Sequence, residues 1–192
     1  MPAMALLRPL LLAAALVPQC SGPEERAPDY DRAHFYSGWT DPDGDCVDLR
    51  HELLERTAVR VTQRSADGCR VVRGVWIDPY TGERIREAGL IEIDHVVPLR
   101  WAWEHGADEW TPERRREFAL DEAFLIPVSA SANRSKGARG AIEWLPEDPG
   151  ARCAYVARFR RGVAVWELEL SEIEEAAFRT IQMLACEGRG TS

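Results

Sequence analysis

Along residues 90–99 the chain reads Leu-Ile-Glu-Ile-Asp-His-Val-Val-Pro-Leu, an apolar/acidic alternation that gives way to an apolar run. That period of two is the mark of a half-buried strand. Pro98 has no N–H to donate to a ladder, so the strand is expected to stop near His95. Upstream, residues 47–57 predict a helix with Val47, Leu53 and Leu54 on one side and His51 as a further candidate for it. Cys69–Ile77, rich in Val and Trp, predicts a strand. Asp78-Pro79-Tyr80-Thr81-Gly82 predicts a turn, since Pro fixes one dihedral and Gly frees another. Downstream, Leu99–His105 has the composition of a short helix stopped by Gly106. Thr111-Pro112-Glu113 opens a helix to about Leu120, with Thr as cap and Pro in the first turn.

Phe124–Val128 predicts a second short strand, expected to pair antiparallel with residues 90–94. Ser129 or Ser131 then caps a helix that carries Asn133 and Lys136 on one side and packs on the two strands. Arg152–Val165 and Ser171–Cys186 predict two closing helices, the second with a core-facing stripe of Ile173, Ala177, Ile181 and Leu184. The fold class is α+β. No internal repeat is present, and the 192 residues suit one domain plus a tail.

The N-terminal composition changes that picture. Residues 4–18 hold one early Arg and a short apolar run, the pattern of a signal peptide and too short to span a bilayer. The expected organisation is a signal peptide over 1–20, an extension or linker over 21–44 ordering near Trp39, a domain over 45–186 and a tail over 187–192. Pro18-Gln19 before Cys20 is a poor match to a lipoprotein signal, so lipid anchoring is not expected. In an exported chain Cys46, Cys69, Cys153 and Cys186 read as two disulfides with three possible connectivities. Cys46–Cys69 and Cys153–Cys186 each bracket a compact segment and are the expected pairs. No Cys-x-x-Cys pair suggests a zinc ribbon.

The formal net charge of −8 rules out a global positive field, so any phosphate contact must be local. Arg114, Arg115 and Arg116 point in different directions on their helix and read as a mainly solvated face, one of them within reach of a phosphate. Asp41–Asp45 lacks the spacing and closing Glu of a calcium loop and reads as a turn. His51-Glu52-Leu53-Leu54-Glu55 ends in Glu where a zinc-protease helix needs a second His, and reads as a solvated helix.

One ordered set of segments remains: Asp-Pro-Tyr-Thr-Gly (78–82), Ile-Asp-His-Val-Val-Pro-Leu (93–99), Ala-Trp (102–103), Ser-Ala-Ser-Ala-Asn-Arg-Ser-Lys-Gly (129–137) and Glu-Trp-Leu-Pro (143–146). Over about residues 39–186 it resembles the HNH, or His-Me finger, endonucleases, in particular exported proteins related to the C-terminal domain of GmrSD-type restriction enzymes. The resemblance implies a ββα-metal core, a short antiparallel hairpin plus a helix. It implies a secreted endonuclease acting on DNA, with RNA as the other candidate.

His95 is then the general base, Asp94 and Asn133 are the metal ligands, and Lys136 and Arg134 contact phosphate. Hard oxygen donors suit Mg²⁺, with Mn²⁺ as the alternative. An imidazole near its ordinary pKa of about 6.5 would lose activity as pH drops through that value. Adjacent Asp94 and His95 point to opposite faces of a strand, so they share a site only if the strand ends or bends there. The sequence departs from the family where a middle Asn, thought to brace the loop holding the His, is replaced by Phe124. The rival reading is a degenerate secreted binding protein that keeps the fold.

Overall fold

The computed structural model describes residues 29–187; the expected signal peptide, Cys20 and nearly all of the expected tail lie outside them. The first half builds an antiparallel sheet, β1 (Arg60–Arg64), β2 (Val71–Ile77) and β3 (Arg84–Glu87), with α1 (Leu49–Thr57) packed on it. Only β2 has a clear sequence signature. Both flanking strands alternate with arginine, and their single apolar residues, Val61 and Ile85, are too few to give a pattern. Leu54, Val71, Trp76, Ile85 and Ile91 form the core of this layer, and Trp76 donates its indole N–H to the Leu54 carbonyl at 2.7 Å. His51 faces the sheet from α1: its Nδ1 accepts the N–H of Val71 at 3.1 Å.

The second unit is an antiparallel ribbon of β4 (Ile91–His95) and β5 (Leu125–Ser129), in the register Ile91↔Ser129, Ile93↔Pro127 and His95↔Leu125. The long connection between them holds α2 (Leu99–Trp103) and α3 (Pro112–Ala119). Ser129 ends β5 and caps α4 (Ala130–Lys136), its Oγ accepting from the Ala132 N–H. Gly137 stops α4 at φ 59°, a conformation glycine adopts without steric cost. On β4, Ile91 and Ile93 enter the cores shared with α1, while Glu92 and Asp94 turn to α4.

Two long helices, α5 (Pro149–Val165) and α6 (Glu172–Cys186), close the domain. Gly162 lets α5 approach the ribbon: a Cβ there would lie 2.9 Å from Val97 and 3.2 Å from the Phe124 ring. Both expected disulfides form. Cys46–Cys69 joins the loop before α1 to the start of β2, and Cys153–Cys186 joins α5 to the end of α6. In the chain-entropy view each stabilises by roughly 3–4 kcal/mol.

Three expectations are corrected. Residues 29–44 are not a linker up to Trp39, because Phe35 is buried between Trp103 and Phe118 and belongs to the main core. Arg114 and Arg115 are not a solvated face. Arg114 lies over Trp110 and bonds the Trp166 carbonyl, and Arg115 lies over Trp103 and bonds the Ala107 carbonyl. The core stripe of α6 is also rotated. Phe178 is fully buried against Phe159 and Trp101, with Ile181 partly buried beside it, whereas Ile173 is 82% and Leu184 59% exposed. A large ring with an aromatic socket fixes the helix face more strongly than two aliphatic residues at its ends.

Among the described residues no helix is long and apolar enough to cross a membrane. Truncation tests the corrected face of α6: Phe178→Ala should cost about 3–5 kcal/mol in urea unfolding, and Ile173→Ala no more than about 0.5 kcal/mol.

Candidate active site

The motif residues divide into a buried part and an open part. The buried part centres on Lys136, at the end of α4. Its side chain has no solvent exposure, and its Nζ lies 2.8 and 2.9 Å from the two carboxylate oxygens of Asp94 and 2.7 Å from the His95 carbonyl. Asp94 also accepts the Tyr80 hydroxyl at 2.6 Å. Burial pushes the Asp94 carboxyl up and the Lys136 ammonium down, so each charge is sustained by the other.

The turn at 78–82 serves this arrangement. Asp78 accepts the Tyr80 N–H at 2.8 Å and the Ser129 N–H at 3.0 Å, so one buried carboxylate joins the turn to the N-cap of α4. The Tyr80 ring then packs edge-on against Trp144 and Tyr155. The segments 78–82 and 143–146, with Ser129 and Lys136 of 129–137, are therefore scaffold for the end of β4.

The open part is a cleft of about 330 Å³ lined by Tyr30, Arg32, Glu92, His95, Arg100, Asn133 and Arg134, with the buried Asp94 at its floor. His95 ends β4 as expected. Its ring stacks on Trp39, and its Nε2 lies 2.9 Å from the Ala119 carbonyl, the last residue of α3. A carbonyl only accepts, so Nε2 carries the proton and Nδ1 carries the lone pair. Nδ1 makes no hydrogen bond among the described residues. His95 lines the cleft, with most of its surface buried. Burial holds the imidazole neutral, with a pKa of about 3, against a smaller opposing effect of the Ala119 carbonyl.

Asn133 projects from α4 toward the strand, and its Nδ2 donates to Glu92 Oε2 at 2.7 Å. Arg134 lies 3.5 Å from the other Glu92 oxygen and is 70% exposed. Arg100 pairs with Glu104 at 2.9 Å, and Arg32 lies over the Tyr36 ring. Three guanidinium groups thus line the cleft of an acidic protein, Arg134 beside Glu92 and Arg100 beside Glu104.

Comparison with known proteins gives the family. The family model for the C-terminal domain of GmrSD restriction endonucleases matches residues 47–178. The chain belongs to this family. A protein named "Uncharacterized secreted protein" from Arthroderma benhamiae (strain ATCC MYA-4681 / CBS 112371) is 32% identical over 183 residues, covering 94% of this chain and 85% of that protein. No solved structure matches.

Within the GmrSD C-terminal domain family the expected roles divide. His95 and Asn133 line one cleft, and Arg134 stands at it. Lys136 does not reach a phosphate: it is buried, and its donors are spent on Asp94 and the His95 carbonyl. Asp94, the expected metal ligand, has its oxygens engaged by Lys136 and Tyr80. Phe124, at the column of the family's middle Asn, has a buried ring, and its carbonyl accepts the Val96 N–H at 2.9 Å. The backbone at Phe124 and Ala119 braces the His95 loop without a side-chain amide.

Sequence reasoning missed Glu92, Tyr30, Arg32 and Arg100. The period of two puts Glu92 on the face of Asp94 and would have found it. The other three come from segments without motif or periodicity.

The buried pair has a measurable signature. Lys136→Met leaves the Asp94 carboxylate without its cation and should cost about 3–5 kcal/mol in denaturant unfolding. Asp94→Asn combined with Lys136→Met should recover most of that loss. A Lys136→Met protein as stable as wild type would show that the pair does not hold the fold.

Proposed function

We propose that this chain is an exported, metal-dependent endonuclease that hydrolyses phosphodiester bonds in DNA, with RNA as the second polymer of matching chemistry. The observation that carries the reading is the imidazole: a neutral His95, fixed by the Ala119 carbonyl at Nε2 and with Nδ1 unbonded among the described residues, at a cleft that also holds Asn133 and three arginines. That tautomer is preset to accept a proton from a water in the cleft. Family membership and the relative's name support the nuclease and the export parts of the reading. So do the two disulfides, which belong to oxidising compartments.

The donors in the cleft, the Asn133 amide and a strand carboxylate, are hard oxygens that fit Mg²⁺ or Mn²⁺ and not a thiophilic metal. Asp94 does not fit: its oxygens already face an ammonium. When bound, the cation stabilises charge on the leaving oxygen of the phosphodiester. Arg32, Arg100 and Arg134 neutralise the phosphate and hold it in place. His95 takes the proton of the attacking water. Burial makes it a weak base in the free protein, and an anionic phosphodiester beside it raises its proton affinity when substrate arrives.

The rival reading, a binding protein that kept the fold, is motivated by Phe124. A plasmid-nicking assay separates the two: the nuclease nicks DNA with Mg²⁺ and stops with EDTA, whereas the binding protein never nicks. His95→Ala should lower turnover per folded molecule on the order of 10²–10⁴-fold.

The low pKa of His95 changes the expected pH profile. The ring is unprotonated above about 3. kcat/KM, which follows the free protein, should therefore show no His95-dependent loss between pH 8 and 5. An inflection near the ordinary imidazole value of about 6.5 would contradict a buried neutral base.

A further inference from the structure

We infer that Glu92, and not Asp94 of the Asp-His pair, is the carboxylate that joins Asn133 in holding the catalytic cation. The inference rests on the metal-dependent reading above. Both residues point to the same face of β4, since side chains two apart in a strand share a face, and both line the cleft. They differ in what neutralises them. The cation on Asp94 is Lys136, which has no exposed surface and contacts the carboxylate at 2.8 Å. A divalent ion bound there would either sit against an ammonium or expel it into a sealed interior, leaving an uncompensated buried charge.

The cation on Glu92 is Arg134, 70% exposed and at 3.5 Å, so it can swing into solvent at little cost. Glu92 is itself 42% exposed at its side chain, lines the cleft, and already touches Asn133 at 2.7 Å. An Asn133–Glu92 pair in contact offers an ion two oxygen-bearing groups without rearranging the core. Arg134, released from Glu92 as the ion binds, becomes available to the substrate phosphate. In this arrangement Lys136 serves as the permanent counter-cation of Asp94, so that a single carboxylate of the strand remains for the ion.

The test is Mn²⁺ affinity by calorimetry, read apart from cleavage. All variants carry Asp43→Asn so that the exposed Asp41, Asp43 and Asp45 carboxylates, which lie close together, do not contribute a second site. Glu92→Gln should weaken Mn²⁺ binding by at least the 10–100-fold typical of losing even an outer partner of a ligand. It is a half-exposed change and should leave the melting temperature of the metal-free protein in place. Glu92→Asp should restore part of the affinity.

Asp94→Asn with Lys136→Met removes the buried pair together, avoids an unpaired charge, and should leave Mn²⁺ affinity about unchanged. Equal Mn²⁺ affinity in Glu92→Gln and wild type, or loss of binding in the double variant alone, would overturn the assignment of Glu92 and leave the metal-dependent reading intact. Absence of Mn²⁺ binding in the wild-type background, with or without a DNA oligonucleotide, would overturn the metal-dependent reading and this assignment with it.

Discussion

A fully buried ammonium is the constraint on which the rest depends. Lys136 is tolerable in the interior only because Asp94 and the His95 carbonyl take all of its strong contacts. Those contacts fix the end of α4 against the end of β4, the two elements that carry Asn133 and His95. Tyr80 adds the turn after β2 to the same carboxylate. Removing one partner of such a pair strands the other in low dielectric, which is why a buried pair specifies geometry even where its net stabilisation is small. The cleft is therefore precise because the residues beneath it are not free to act in it.

This division explains how an acidic protein presents a phosphate-seeking surface. The carboxylates of Asp78 and Asp94 are buried and internally paired, so their charge contributes little to the field in the cleft. Arg32, Arg100 and Arg134 come from three different segments and line one cleft. His95 sits at their edge as a neutral group, kept so by burial and held in one tautomer by a backbone carbonyl. A backbone brace of this kind is indifferent to the side chain at position 124, so Phe124 fits without loss of the loop.

The sequence was most informative where local rules act alone. The alternation ending at Pro98 located β4 within a residue, Thr111-Pro112 located the start of α3, and Ser129 emerged as the cap of α4. The antiparallel ribbon and both disulfide pairs were legible for the same reason. β1 and β3 were not, because an edge strand with arginine on its exposed face buries one apolar residue at most and leaves no pattern. The core face of α6 was misread because helical spacing cannot say which of two stripes meets an aromatic socket. The depth of Lys136 and Asp94 was not legible, because a motif gives the order of charged residues and not their burial. Tyr30 and Arg32 were hidden because a packed N-terminal segment rich in Pro, Asp and Arg has the composition of a linker.

The most direct test of this division is a crystal structure of the protein soaked in Mn²⁺, with the ion located by its anomalous scattering. The account predicts a peak beside Glu92 and Asn133, with Lys136 still on Asp94 and His95 still on the Ala119 carbonyl. A peak on Asp94, with Lys136 driven out of the interior, would contradict it.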